Sequence, residues 1–203
     1  ELANGQTIQT NRDLNFTKSH QFVIAYNNRI TENLRFKTEV YYQLLYNVPV
    51  SKSMLDYSVL NEGAYFYINL EDSLVNAGKG TNYGLELTFE KFLSNNFYFL
   101  GTASLFRSQY EGYNGEVHST AFDNRYVFNA LGGYEITLRK NKRLNIDLRG
   151  VLAGGKPYTP IDQQQSELEN RPVYLFDQAF SKHHPDYFRL DVKVGFRMPM
   201  GKT

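Results

Sequence analysis

The chain has 203 residues, and its 22 Lys and Arg residues nearly balance its 21 Asp and Glu residues. This balance argues against nucleic-acid binding as the main role, and the absence of cysteine excludes a disulfide framework and Cys-based metal sites. No apolar run approaches the roughly 18 residues of a transmembrane helix. The aromatic content of 15%, made up of Tyr and Phe without Trp, is typical of membrane β-barrels, which place these side chains in interfacial girdles.

The first regular pattern after a turn-like amino-terminal segment is an amphipathic hairpin. Lys18–Ile30 alternates apolar and polar residues, and so does Leu34–Tyr46. A period of two predicts strands with one apolar and one polar face, and the short segment Thr31–Asn33 predicts a turn between them.

A second hairpin is predicted over Gly80–Tyr110, after a long connection at Asn47–Lys79. Its turn is expected at Ser94–Asn96. Gly78 and Gly80 are expected to let the chain turn into the strand.

Three further strands are predicted, with long loops before the first and the last of them. Glu111–Ala121 is a polar, Gly-rich loop, and Phe122–Leu138 and Arg143–Ala153 alternate around a short basic turn. Gly154–Asp186 is a Pro-containing loop, and Tyr187–Met198 alternates without a fault.

Three glycines near the end of the sixth strand, Gly150, Gly154 and Gly155, predict a bend or bulge.

The predicted fold class is all-β, an antiparallel transmembrane β-barrel segment of about seven long strands. Short connections alternate with long ones, as in outer-membrane barrels with periplasmic turns and extracellular loops. Because seven strands would leave two edges unpaired in hydrocarbon, we expect either a further strand before Lys18 or a larger barrel. The polar faces carry charged residues that predict a wet lumen. These are Arg35, Lys37, Glu39, Glu86, Glu90, Asp147, Arg149, Asp191 and Lys193.

Several segments of the chain resemble the carboxy-terminal barrel half of TonB-dependent receptors from Bacteroidetes. The segments are Glu39–Gln43, Tyr46–Val50, Leu74–Asn76, Gly78–Leu87, Glu90–Phe92, Phe122–Tyr126 with Asn129, Leu131–Gly133, Gly154–Gly155 with Tyr158–Pro160, and Phe188–Asp191. The resemblance implies a 22-stranded barrel in the outer membrane of a Gram-negative cell. It also implies a plug domain, and a TonB box that couples the barrel to the TonB complex. Residues 1–203 are expected to be one partial barrel domain without the plug and TonB box.

Few residues have the types and spacing that chemistry requires. His183 and His184, with Asp177 and Asp186, form either a surface metal site or a solvated polar loop, and the loop is the preferred interpretation. Glu86 is four residues before Glu90, about 13 Å by strand rise, which is too far for a retaining-glycosidase pair. The sequence therefore predicts no catalytic residue, no metal and no cofactor.

Aromatic residues in the long loops are the candidate ligand contacts. They either touch a ligand or a surface lipoprotein partner, or pack the loops against one another. The candidates are Tyr65, Phe66, Tyr67, Tyr158, Tyr174 and Phe176.

Three functions stay open from the sequence. The first is the barrel wall of a TonB-dependent active importer of a siderophore, glycan, peptide or vitamin, surrounded by outer-membrane lipid. The second is a passive porin-like barrel or a structural part of an outer-membrane surface complex. The third is a soluble carbohydrate-binding β-sandwich.

Overall fold

The computed structural model describes residues 10–64 and 73–198, which form one large antiparallel sheet with a layer of loops at one end. The strands are β1 Lys18–Thr31, β2 Leu34–Ser51, β3 Leu74–Ser94, β4 Phe97–Glu111, β5 Val117–Ser119, β6 Tyr126–Thr137, β7 Arg143–Ala153, β8 Pro157–Tyr158, β9 Lys182–His183 and β10 Tyr187–Arg197. The seven long strands lie in the order β1-β2-β3-β4-β6-β7-β10, and β5 pairs with β4. A separate two-stranded sheet joins β8 and β9.

The seven predicted long strands are confirmed, and so is the alternation of short and long connections. Every consecutive pair of long strands is hydrogen-bonded, so all the short turns lie at one end of the sheet and all the long connections at the other. The turn between β3 and β4 consists of Asn95 and Asn96, with φ of 52° and 65°. Asparagine tolerates this left-handed conformation, which matches the twist of a two-residue hairpin.

The long connections, predicted as loops, contain short regular elements. A helix, α1 (Gln163–Glu169), begins where the side chain of Asp162 accepts a hydrogen bond from Gln165 N at 3.0 Å. It ends at Asn170, which adopts the left-handed conformation. These are the usual start and stop signals of a helix.

Three predicted boundaries are wrong by several residues. β3 begins at Leu74 instead of Gly80, because strand pairing continues through Gly78. β2 continues past Pro49 to Ser51, with register shifts between Tyr46 and Val50 that accommodate the missing N–H. β6 begins at Tyr126 instead of Phe122.

Glycines of β3 and β7 lie inside regular strands. Gly78 and Gly80 lie inside β3, and a Cβ on Gly78 would stand 2.4 Å from Cγ1 of Val50, so this glycine permits close packing within the strand. Gly150 lies within β7, where the register with both neighbours is unbroken, so a bulge at this glycine is excluded. The segment Gly154–Gly155, which holds the other two glycines of the predicted bend or bulge, follows the end of β7.

The best-buried residues lie at the end of the sheet where the long connections meet. Tyr110, at the end of β4, packs with Ala121 and Phe180 from two of the connections. Its hydroxyl donates a hydrogen bond of 2.6 Å to the carbonyl oxygen of Asp56. This cluster joins the long connections into one layer.

β1 and β10 are the outer strands of the sheet, and within the described residues they do not pair with each other. No helix in the described part of the chain is long and apolar enough to cross a membrane.

Candidate functional site

The sheet has one apolar face, formed by residues that the strand register brings into rows. One row takes a residue from each of the seven long strands. It consists of Tyr26, Thr38, Leu87, Ala103, Phe128, Leu152 and Phe188. Paired residues point to the same side of a sheet. The apolar positions of all seven strands therefore form a single continuous surface. We call it the apolar face.

The apolar face is exposed across its whole width. Side chains that are more than a third exposed come from each of the seven long strands. They include Phe22, Ile24, Tyr26, Val40, Tyr42, Tyr83, Phe89, Leu105, Phe128, Ile146, Leu148, Phe188, Leu190, Val192, Val194 and Phe196. Exposed apolar surface costs about 25 cal/mol per Å² in water, and patches above a few hundred Å² mark a contact surface.

All nine residues predicted to face a lumen lie on the opposite side of the sheet, which we call the charged face. Arg35 pairs in register with Glu90, and Glu39 pairs with Glu86. Asp147 and Arg149 of β7 pair with Lys193 and Asp191 of β10. The remaining residue of the set, Lys37, forms an ion pair with Glu39.

A polar ladder crosses four strands of the charged face. The Tyr98 hydroxyl of β4 donates a hydrogen bond of 2.7 Å to Oδ1 of Asp147 on β7. Gly133 of β6 lies between the two strands, and a Cβ there would come within 2.4 Å of the Tyr98 ring. Lys193 Nζ of β10 lies 3.9 Å from the other carboxylate oxygen of Asp147. Gly133 therefore leaves the space through which the tyrosine reaches its acceptor.

The two carboxylates of β3 have different neighbours, a guanidinium for Glu90 and another carboxylate for Glu86. Oε2 of Glu90 lies 3.5 Å from Nη1 of Arg35. Nε of the same arginine donates a hydrogen bond of 3.1 Å to Oδ1 of Asn27. Glu86 stands beside Glu39 in register. These contacts are consistent with a charged, hydrated surface, and such partly exposed ion pairs contribute about 0–1 kcal/mol each to folding.

The long connections enclose a pocket of about 580 Å³ at the loop end of the sheet. Three sequence candidates, Tyr158, Tyr174 and Phe176, line it together. Tyr65, Phe66 and Tyr67 lie outside the described residues. The rings of Tyr174 and Phe176 have centroids 6.1 Å apart, and the ring of Tyr158 lies 4.6 Å from that of His184. The pocket therefore has two aromatic ring pairs in its wall.

Polar groups from two connections complete the pocket wall. Asp56 and Glu62 come from the connection after β2, and Lys156 from the one after β7. Lys156 Nζ donates to the carbonyl oxygen of Ala64 at 2.6 Å, which ties the two connections together. Burial raises the pKa of the Asp56 carboxyl, although its own backbone N–H and His118 act in the opposite direction.

The predicted histidine and aspartate group does not form a metal site. His184 packs on Tyr158, His183 Nε2 lies 3.3 Å from the carbonyl oxygen of Asp123, and Asp186 accepts a hydrogen bond from Gly155 N at 3.1 Å. Across the described residues, no cluster of three potential metal ligands occurs. The preferred interpretation, a polar loop, fits these contacts.

Sequence reasoning missed the groups that build the loop layer. Asp123 is fully buried and accepts hydrogen bonds from Ser108 N at 3.0 Å and Ser119 Oγ at 2.9 Å. Arg107 Nε lies 3.2 Å from its carboxylate, as an ion pair without hydrogen-bond alignment. In the sequence, Asp123 lies at the start of the strand predicted from Phe122, and only its burial in the loop layer reveals its role.

No family model, curated protein or solved structure matches this chain. The strongest functional evidence is therefore the chain's own geometry, an exposed apolar face on one side of the sheet and a charged face on the other.

Proposed function

We propose that the chain is part of the wall of a transmembrane β-barrel in a bacterial outer membrane, and that this barrel belongs to a TonB-dependent importer. The observation that carries the barrel proposal is the apolar face, which is exposed from β1 to β10. Such a face is stable in the hydrocarbon of a bilayer, because the transfer of apolar side chains from water to hydrocarbon is favourable.

The charged face supports the same orientation. Ionic side chains in a bilayer point to a water-filled interior, and here every predicted lumen residue lies opposite the apolar face. The outer strands β1 and β10 have unpaired backbone groups in the described part of the chain, and a barrel pairs such groups with further strands. A soluble β-sandwich is disfavoured because it would bury the apolar face under a second sheet.

The resemblance to TonB-dependent receptors supports the importer over the passive barrel. The loop layer adds to this support. A porin-like pore needs only an open lumen, whereas an importer needs a place where its ligand binds before entry. The pocket lined by Tyr158, Tyr174 and Phe176 meets that need.

Spin labels on neighbouring residues test the orientation of the sheet, since the chain has no native cysteine. Val192→Cys and Leu148→Cys place a label on the apolar face, and Lys193→Cys and Arg149→Cys place one on the charged face. In liposomes, we expect apolar-face labels to collide with oxygen, which dissolves in lipid, and charged-face labels to collide with a water-soluble nickel chelate. If the first two labels were shielded from both reagents, the apolar face would be covered by protein and the membrane proposal would be wrong.

Energy dependence separates the importer from a passive barrel. Cells that carry the whole protein are given radiolabelled maltohexaose and xylohexaose, with and without a protonophore. Accumulation that stops when the proton gradient collapses supports TonB-dependent import. Accumulation that persists supports the porin-like alternative.

A further inference from the structure

We infer that the pocket between the connections after β2 and β7 binds a neutral oligosaccharide. This inference rests on the proposed import function in one respect, since the sugar is cargo only if the protein is an importer. The binding itself depends only on the loop layer.

The size and position of the pocket fit a ligand-binding site. Its volume of about 580 Å³ lies within the range of about 300–1,000 Å³ for small-molecule sites. Its walls come from two connections that meet through the contact of Lys156 with Ala64. Tyr110 of β4 also links them, through a hydrogen bond to Asp56 of one connection and a ring contact with Phe180 of the other. The ring centroids in this contact are 6.4 Å apart, and such packing holds the walls in place without a ligand.

Two of the pocket's aromatic rings stay exposed although they lie in a packed layer. Tyr174 is 48% exposed and Phe176 is 50% exposed. Their planes are inclined by 36° to each other, so together they present a bent aromatic surface. The C–H face of a pyranose ring packs well on such a surface, since both are flat and apolar.

The polar lining favours a ligand that both donates and accepts hydrogen bonds. The carboxylates of Asp56 and Glu62 are acceptors, and the Lys156 ammonium is a donor. A sugar hydroxyl has both functions. The Asp56 carboxylate gains most from such a ligand, because burial disfavours its charge in the free protein.

The charges of the lining disfavour anionic ligands. Two carboxylates face one ammonium, so a negatively charged ligand such as a phosphorylated sugar or a ferric catecholate complex is repelled. A purely apolar ligand would displace water from the charged groups without offering hydrogen bonds in its place. A neutral oligosaccharide satisfies both the aromatic and the polar part of the wall.

Isothermal titration with the detergent-solubilised full chain tests the inference. The probes are maltohexaose, xylohexaose, cellohexaose and mannohexaose, and the competing probes are an Ala-Tyr-Ala tripeptide and a phosphorylated hexose. We expect at least one hexasaccharide to bind. We also expect Tyr174→Ala, Phe176→Ala and Asp56→Asn each to weaken binding about tenfold or more, which corresponds to 1.4 kcal/mol.

Tyr113→Ala is the matched control, because Tyr113 is an aromatic loop residue that is 44% exposed and does not line the pocket. Its affinity is expected to equal that of the unmodified protein. The inference is overturned if no hexasaccharide binds, if the pocket variants bind as well as the control, or if the tripeptide or phosphorylated sugar binds through the same residues. Spin-label accessibility in liposomes is independent of all these outcomes, so failure of the pocket and failure of the membrane proposal are distinguishable.

Discussion

The hydroxyl of Tyr98 reaches over the strand that separates it from Asp147 and donates a hydrogen bond of 2.7 Å to its carboxylate. The acceptor is only 17% exposed, and a hydrogen bond to a charged group of this kind contributes about 1.5–3 kcal/mol. The contact links β4 directly to β7, although β6 lies between them. The hydrogen bond therefore stabilises the lateral association of three strands, β4, β6 and β7.

We expect Tyr98→Phe to lower the free energy of unfolding by about 1.5–3 kcal/mol, because the ring stays and only the hydrogen bond is lost. Guanidinium denaturation in detergent micelles, followed by tyrosine fluorescence, measures the change. Tyr134→Phe removes a hydroxyl from the apolar face and is the control. Equal midpoints for the two variants would show that the contact with Asp147 contributes nothing.

Gly133 makes room for that contact, and we expect Gly133→Ala to destabilise the sheet by about 1–3 kcal/mol. The added Cβ would stand 2.3 Å from Oδ1 of Asp147 and 2.4 Å from Cε1 of Tyr98, so it would displace both ends of the hydrogen bond. Gly150→Ala is the matched control, since its Cβ meets nothing within 4 Å. The same denaturation experiment compares them. The interpretation fails if Gly150→Ala costs as much as Gly133→Ala.

Asp123 anchors the loop layer, and we expect Asp123→Ala to cost about 3 kcal/mol or more. The substitution leaves Ser108 N and Ser119 Oγ without their acceptor and Arg107 without its ion-pair partner. Hydrogen exchange is expected to speed up in β5 and at the adjacent end of β4, and to stay unchanged in β7. Asp177→Ala is the control, because Asp177 is exposed. Unchanged exchange in β5 would contradict the anchoring role.

The strands were predictable because each long strand has a different environment on each face. In β10, Val192 and Lys193 lie on opposite sides of the sheet, and that difference appears directly in the sequence as alternation. Pro49 and Gly78 misled the boundary prediction, because both usually interrupt strands. Here a register shift accommodates Pro49, and the Val50 side chain fills the space beside Gly78.

The loop pocket was predictable only in part. Tyr158, Tyr174 and Phe176 stood out as aromatic residues in polar loops, and the structure brings these three together. Asp56 and Lys156 did not stand out, because their proximity depends on how two connections far apart in the chain pack at one end of the sheet. No local pattern encodes such contacts, since loops have no repeating relation between sequence and direction.

The Asp56 carboxylate has a proposed role in ligand binding, but its burial lowers the stability of the protein. The pH dependence of the free energy of unfolding separates these two effects. Burial raises the pKa of Asp56 above its ordinary value of 3.8. The native state therefore holds the proton more tightly than the unfolded chain. This contribution to stability is complete below pH 3.8 and is lost as the pH rises through the native pKa.

An asparagine side chain is neutral at every pH, so we expect Asp56→Asn to stabilise the protein at pH 7 and to show no advantage below pH 3.8. Denaturation midpoints at pH 7 and pH 3 measure the difference, and Asp177→Asn is the control. The variant is expected to bind the hexasaccharide less well at pH 7 while it is more stable, so its loss of affinity cannot come from unfolding. A variant that is less stable at pH 7 would mean that the carboxylate supports the loop layer, and the assignment of Asp56 to ligand binding would lose its basis.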